Sequence, residues 1–293
     1  MEKHLLLTVS ADREASSNLR FIRHFFDALC DLRITLFYVA SRPMDQEYHF
    51  VPSALETGHQ RQVPVEEIKS PEAREALQHA REWLVAEGCG AGKIETKAVY
   101  SRFGTVHDII QEGHAGKYDA VVLGKRCVSW FEELLDDSAT NRILQERIDF
   151  PVWICRRPET GLSRDVLLCL DGSEASMRMA DHVGFMLGSA PRHRVQLLHV
   201  RTRAEDRSAA MFQTAREALL ENGVNPQQIH EKVVASDAPA QTILQEARQG
   251  HYAVVALGRR SREGHGGEPT RQGKSVTQNL LHLIEDFALW ISK

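Results

Sequence analysis

The feature that most constrains this chain is that it repeats itself. GKYDAVVLGKR at residues 116 to 126 returns as GHYAVVALGRR at 250 to 260, an offset of 134 that also aligns Gln111-Glu112 with Gln245-Glu246. Further pairs follow in the same order: LLLTVS with VLLCLD, ITLFYV with VQLLHV, and FPVWI with FALWI. Each half of the 293 residues therefore carries one full copy of a single fold, and a copy of that length can bury its own core. The first copy spans 1–158 and the second 159–293, with RRPETGLSR, between Arg156 and Arg164, as the linker.

Within a copy, short apolar runs rich in β-formers alternate with longer stretches of helical period, the pattern of a parallel sheet with crossover helices. In copy two the strands are expected at 165–170, 195–200, 229–235, 252–257 and 287–291. Between the first two, Met179, Val183, Met186 and Leu187 form one apolar helical stripe; Leu19, Ile22, Phe26 and Leu29 do so in copy one. Five parallel strands with crossovers make a doubly wound sheet, which takes ligands beyond the strand carboxyl ends, where strand order reverses. The segments expected there in copy two are the first-strand exit LDGSEAS (170–176), the fourth-strand exit LGRRS (257–261) and the helix that begins after Gly273.

Composition narrows the function classes. With 42% hydrophobic and 26% charged residues the chain is of soluble globular type. A formal charge of −4, with no basic run interleaved with aromatics, argues against nucleic acid as a partner. MEKHLLLTVS is too short in apolar residues for a signal segment, and no stretch reaches the ~18 needed for a membrane span, so a cytoplasmic location is expected. Five cysteines (Cys30, Cys89, Cys127, Cys155, Cys169) form no C-x-x-C pair and read as reduced thiols, Cys169 as a small buried hydrophobe. His107 and His114 lie seven apart with no third ligand nearby, and His193 and His199 fall in separate elements, so no metal is required for folding. Neither copy shows G-x-S-x-G, H-E-x-x-H or a Cys/His nucleophile pair, so the chain is not expected to be an enzyme.

The exits LDGSEAS and VVALGRR, the helix start SVTQNLL, and the last strands FPVWI and FALWI resemble the universal stress protein family in its tandem, two-domain form, over nearly the whole chain. The resemblance implies two Rossmann-like domains, each a five-stranded parallel sheet of order 3-2-1-4-5 flanked by helices, and in many members a bound ATP or AMP. It also implies that the copies pack about a pseudo-twofold through their last strands, an intrachain imitation of a dimer. Association of two whole chains into a homodimer is left open.

Nucleotide-binding members carry G-x-x-G, nine residues, then G-[ST] between the fourth strand and the last helix. Copy one keeps the spacing but reads Gly124, Cys127, Asp137, Ser138; copy two keeps Gly258, has Ser261 at the second glycine, and reaches Gly273 after an insertion, with Lys274 before Ser275. Gly273-Lys274-Ser275 also ends like a P-loop, but the glycine such a loop needs five positions earlier is Glu268. Glycines at these points let backbone N–H groups approach phosphate without a Cβ in the way. Charge separates the copies: residues 124–138 sum to −2, whereas 258–276, with Arg259, Arg260, Arg262, Arg271 and Lys274, sum to +3. Asp171 stands where the family places an acidic residue near the adenine or ribose, and Val200 where a backbone group contacts adenine; copy one offers Ser10 and Val39.

The expected nucleotide site is therefore in copy two: Leu170, Asp171, Val200, Leu257, Gly258, Arg260, Ser261, Gly273, Lys274, Ser275 and Val276. Local readings compete with it. Ser275 can serve as a helix N-cap above a stripe of Val276, Leu280, Leu283 and Ile284, Asp171 can hold the DGS turn, and the arginines can form a solvated loop face. In copy one, Trp130, Phe131, Leu134 and Leu135 fall in the phosphate-loop slot, either as core or as the lining of an apolar pocket. The expected function is a cytoplasmic, non-catalytic stress-response protein that binds ATP or AMP through copy two. The alternative is a nucleotide-independent scaffold, or a binder of an apolar or amphiphilic ligand through copy one. Related ATP-pyrophosphatases carry S-G-G-x-D-S after the first strand, which neither TVSADREAS nor CLDGSEAS supplies.

Overall fold

The computed structural model describes residues 2–12, 16–41, 70–102, 104–124, 148–155, 163–188, 190–202, 208–259, 275–283 and 286–293. Copy one contributes β1 (Lys3–Thr8), β2 (Leu32–Ala40), β3 (Ile94–Tyr100), β4 (Ala120–Leu123) and β5 (Val152–Ile154). Copy two contributes β6 (Val166–Cys169), β7 (Val195–Arg201), β8 (Ile229–Ala235), β9 (Val254–Gly258) and β10 (Ala288–Ser292). The described helices are α1 (Ser17–Phe25), α2 (Pro71–Ala86), α3 (Thr105–Gly116), α4 (Glu174–Leu187), α5 (Ser208–Glu221), α6 (Pro239–Gln249) and α7 (Val276–Leu283).

The strands form one ten-stranded sheet of order β3-β2-β1-β4-β5-β10-β9-β6-β7-β8. Read outward-in from either edge, each half has the order 3-2-1-4-5 that the family resemblance implied, with parallel pairing throughout. The halves meet at an antiparallel seam, β5 against β10, where Trp153 lies opposite Trp290. The register repeats as well: Leu7 pairs with Val122 in copy one and Leu168 with Ala256 in copy two.

Both faces of the sheet are covered, which is why its strands read as continuous apolar runs rather than alternating ones. One face carries α1, α2, α4 and α5 over Leu5, Leu7, Leu168, Val195 and both seam tryptophans. The other carries α3, α6 and α7 over Leu6, Val121, Leu167 and Val255. Met179, Val183, Met186 and Leu187 are buried on α4, as their spacing requires. Leu19, Ile22, Phe26 and Leu29 are buried too, but the expected helical stripe through Leu29 is corrected: α1 ends at Phe25, Phe26 is its extended C-cap and Leu29 opens a 3-10 turn, Leu29–Asp31.

Helix starts are set by local chemistry. Ser70 accepts from the Ala73 N–H with Pro71 following it, and Ser173 accepts from the Ser176 N–H. At the seam, Trp153 and Trp290 stack with ring centroids 3.9 Å apart and planes within 3°. The seam is not symmetric: Trp153 Nε1–H donates to His182 Nε2 at 3.0 Å, while the buried Trp290 Nε1 has no hydrogen-bond partner among the described residues and Phe25 packs edge-on against its ring. Last strands that would be unsafe as rims are thereby hidden, leaving β3 and β8 as the edges. Among the described residues no helix is long and apolar enough to cross a membrane.

Candidate functional site

Strand order reverses in copy two between β6 and β9, and there Cys169 pairs with Leu257. Leu170-Asp171 and Gly258 consequently leave the sheet side by side, at its carboxyl edge. Val200, next to last in β7, ends at the same edge and packs on the face covered by α6 and α7. Ser275 and Val276 open α7 on that face. The structure therefore brings Leu170, Asp171, Val200, Leu257, Gly258, Ser275 and Val276 to one edge of one half. Arg260, Ser261, Gly273 and Lys274 lie outside the described residues, as do Arg262, Arg271 and the copy-one segment Trp130–Leu135.

The local chemistry of these residues is largely spoken for. Asp171 Oδ1 accepts from Ser173 N at 2.9 Å and from Ser173 Oγ at 2.6 Å, so this carboxylate holds the turn at Gly172, whose φ is 78°. Ser275 and Gln278 form a reciprocal capping box: Ser275 Oγ accepts from Gln278 N at 3.2 Å and Gln278 Oε1 accepts from Ser275 N at 2.7 Å. The buried side chains of α7 are Thr277, Leu280 and Leu281, with Val276 half-buried. Leu283 is 41% exposed, so the expected stripe through Leu283 is corrected to one running through Leu281. Its partner in that stripe, Ile284, is outside the described residues.

Gly258 has a packing reason to be glycine. A Cβ there would lie inside van der Waals contact with the backbone of Ala175 and Ser176, because the first turn of α4 rests directly on the β9 exit. Ser292 Oγ, at the end of β10, donates to Ala175 O at 3.0 Å and fastens the same turn from the other side. Arg259, the described member of the arginine cluster, lines a recess with Phe150, Val152 and Ile291 on the β10 side of β9, away from β6. Burial lowers its pKa. This cation belongs to the seam between the halves, and the positive charge facing the crevice would have to come from Arg260, Arg262, Arg271 and Lys274.

One neighbour escaped the sequence reading. His199 Nδ1 lies 2.9 Å from Leu170 O, and since a carbonyl only accepts, Nδ1 carries the proton and braces the β6 exit from β7. The available signal was its place one residue before Val200 at the end of a strand.

Copy one differs at the equivalent point. Thr8 and Asn18 stand where copy two has Cys169 and Met179. Asn18 Nδ2 donates to Thr8 O at 2.8 Å and Val122 O at 3.3 Å, and the Gly124 N–H donates to Thr8 Oγ1 at 3.4 Å. The strand-exit amide that would meet an anion is thus turned to an internal hydroxyl. In copy two, Cys169 is buried and burial pushes its thiol well up, an inert packing group. Among the described residues no three His, Cys, Asp or Glu side chains are grouped to hold a metal ion.

No protein-family model and no curated protein matches the chain. Solved structures do. The chain is similar to a universal stress protein from Archaeoglobus fulgidus DSM 4304, at 17% identity and a TM-score of 0.62, with 99% of this chain and 96% of that one covered. It is also similar to a putative universal stress protein from Pseudomonas aeruginosa UCBPP-PA14, at 13% identity and TM-score 0.54, over 100% of this chain and 93% of that one. A functionally unknown protein from Pseudomonas aeruginosa PAO1 matches at 12% identity and TM-score 0.55, over 100% and 92%. At these identities the likeness establishes a shared fold, which extends over the whole length of the chain.

Proposed function

We propose that the chain is a non-catalytic, cytoplasmic stress-response protein that binds an adenine nucleotide, ATP or AMP, through copy two. The observation that carries the reading is the adjacency of the β6 and β9 exits at the point of strand reversal, since doubly wound sheets place their ligands there. The fold shared with universal stress protein structures supports it, as does the positive balance of residues 258–276. The lacing of Thr8, Asn18 and Gly124 favours copy two over copy one.

In this reading the base and ribose lie over the β6 and β7 ends, near Asp171 and Val200. The phosphates lie between Gly258 and the amino end of α7, where backbone N–H groups and Lys274 meet their charge. With Asp171 Oδ1 and Ser275 Oγ already engaged in turn and cap, specificity rests on backbone groups and on residues 260–274. Binding, and not turnover, is the role: occupancy would alter which partners the surface accepts.

Calorimetry with ATP, ADP and AMP tests this. One nucleotide per chain is expected, weakened about tenfold by Lys274→Glu through loss and reversal of a phosphate contact. No heat at millimolar nucleotide sinks the proposal. Phosphate release that tracks protein concentration and disappears in Asp171→Ala would replace binding with catalysis.

A further inference from the structure

We propose that Cys30 and Cys89 form a redox site at the amino edge of copy one, where hydrogen peroxide converts the two thiols reversibly to an intramolecular disulfide. Cys30 is exposed on the 3-10 turn Leu29–Asp31 that leads into β2, and Cys89 is buried just past the end of α2. Lys93 joins the two segments: it ends the 3-10 turn Ala91–Lys93 that follows Cys89, and its Nζ donates to Cys30 O at 2.5 Å.

The duplication shows that the meeting of these segments belongs to the fold, whereas the thiols belong to copy one. α2 and α5 end alike: Cys89 N donates to Leu84 O at 2.9 Å and Val224 N to Leu219 O at 3.1 Å, after Gly88 at φ 100° and Gly223 at φ 91°. The 3-10 turns that follow, Ala91–Lys93 and Pro226–Gln228, lead into Ile94 and Ile229, which pair with Ile34 and Val195. Lys93 thus corresponds to Gln228, and Gln228 Nε2 makes the same bridge, donating to Ala190 O at 2.9 Å and to His193 O at 2.5 Å. By this register Cys30 corresponds to Pro191 and Cys89 to Val224, so copy two carries no sulfur at either place.

The surroundings suit a reaction in two steps. Burial raises the Cys89 pKa, the Lys93 ammonium lowers it and the Cys30 sulfur raises it again, so both neighbours lie within electrostatic reach of the buried thiol. Cys30 Sγ–H donates weakly to Asp31 Oδ1 at 3.9 Å, and the residue is open to solvent. As a thiolate, Cys30 attacks one peroxide oxygen; the O–O bond breaks, that oxygen stays on sulfur as a sulfenic acid, and the other takes a proton and leaves as water. The Cys89 thiolate then attacks the Cys30 sulfur, which expels the second oxygen, protonated, as water and leaves an S–S bond. Two thiols have given up two electrons, and one peroxide has become two waters. A disulfide needs Cα atoms within about 7 Å, and the movement this asks for falls on the short turn exposed at Cys30 and Asp31. The site uses the other copy and the amino ends of its strands, so it does not rest on the nucleotide reading.

Hydrogen peroxide added to the fully reduced full chain, followed by mass spectrometry, is the test. The chain should lose two hydrogen atoms, a peptide map should link Cys30 to Cys89, and dithiothreitol should reverse the change. In Cys89→Val, which installs the residue of copy two, the link should be absent and dimedone should trap Cys30 as its sulfenic acid about tenfold more than in the parent chain. In Cys30→Ser, a change at an exposed position, Cys89 should stay reduced. Both thiols remaining reduced under peroxide, a link from either one to another cysteine or to a second chain, or equal trapping of Cys30 in the parent chain and in Cys89→Val overturns the proposal. If near-ultraviolet dichroism shows that Cys89→Val is not folded, Cys30→Ser decides: oxidation of Cys89 at the parent rate overturns it.

Discussion

At the scale of single residues, the repeat is a record of close approaches. Gly116 and Gly250 each lie under the ring of the tyrosine two positions on, Tyr118 and Tyr252, so that a Cβ at either would overlap it. Between them stand Lys117 and His251, both at φ 50°, a left-handed conformation that costs a side-chain-bearing residue. Lys117→Gly should therefore raise stability by about 1 kcal/mol, read as a higher urea midpoint at unchanged slope. Gly258→Ala should do the reverse, lowering it by roughly 1–3 kcal/mol as α4 is forced off the β9 exit. The sequence marked Gly258 as a position for phosphate approach; that α4 backbone also demands it was not legible, because the two positions are 83 residues apart in the chain. The bland readings of Asp171 and Ser275 were legible from spacing alone, since turns and caps are local: DGS and S-x-x-Q close upon themselves.

At the scale of elements, the same logic ties helix to sheet in both copies. Glu112 on α3 accepts from Lys97 on β3 at 2.9 Å and from the Tyr118 hydroxyl at 2.6 Å, and Glu246 on α6 accepts from Lys232 on β8 at 2.6 Å. Burial and the Glu112 carboxylate push the Tyr118 phenol well up, so its proton stays. The glutamate of the repeated Gln-Glu pair thus tethers helix to strand in both copies, joined by the tyrosine hydroxyl in copy one, a role its recurrence could signal but not identify. The seam between β5 and β10 was legible through the family resemblance, which implied packing through the last strands; its asymmetry was not, because His182 sits on α4, far in sequence from Trp153. The stacked indoles should give an exciton couplet in the far-ultraviolet dichroism, absent in Trp290→Phe. Trp290→Ala should cost about 3–5 kcal/mol, the range for emptying a fully buried aromatic position. Retention of the couplet in Trp290→Phe would contradict the stacked seam.

At the scale of the molecule, the seam makes stability depend on acidity. Burial holds the His182 pKa at about 3, below its ordinary value of 6.5. Between those values the unfolded chain binds a proton that the folded chain refuses, so stability is fully present above about pH 6.5 and falls as pH drops toward 3. One such proton changes stability by about 1.4 kcal/mol per pH unit. His182→Gln, which keeps an acceptor for the Trp153 N–H, should flatten the slope of urea stability between pH 6 and pH 4 by about that amount. An unchanged slope would show that His182 titrates freely. The order 3-2-1-4-5 in each half was available from the alternation of strand and helix patterns together with the family resemblance. The joining of both halves into a single ten-stranded sheet follows from the β5–β10 pairing, which the apolar last strands implied. Less of the site was legible: the charge tally assigned five cations to one loop, and Arg259 turns out to serve the seam. A tally has no direction, and the neighbouring strand decides where a side chain at a strand end can go.

The proposed function requires copy two to keep a nucleotide edge that copy one has closed. Hydrogen exchange with and without saturating ATP tests it most directly. Slowed exchange is predicted at the exits 170–173 and 257–259 and at the start of α7, 275–279, with 8–12 and 122–124 unchanged. Slowing at the copy-one exits instead, or at neither while nucleotide is bound, would contradict the account.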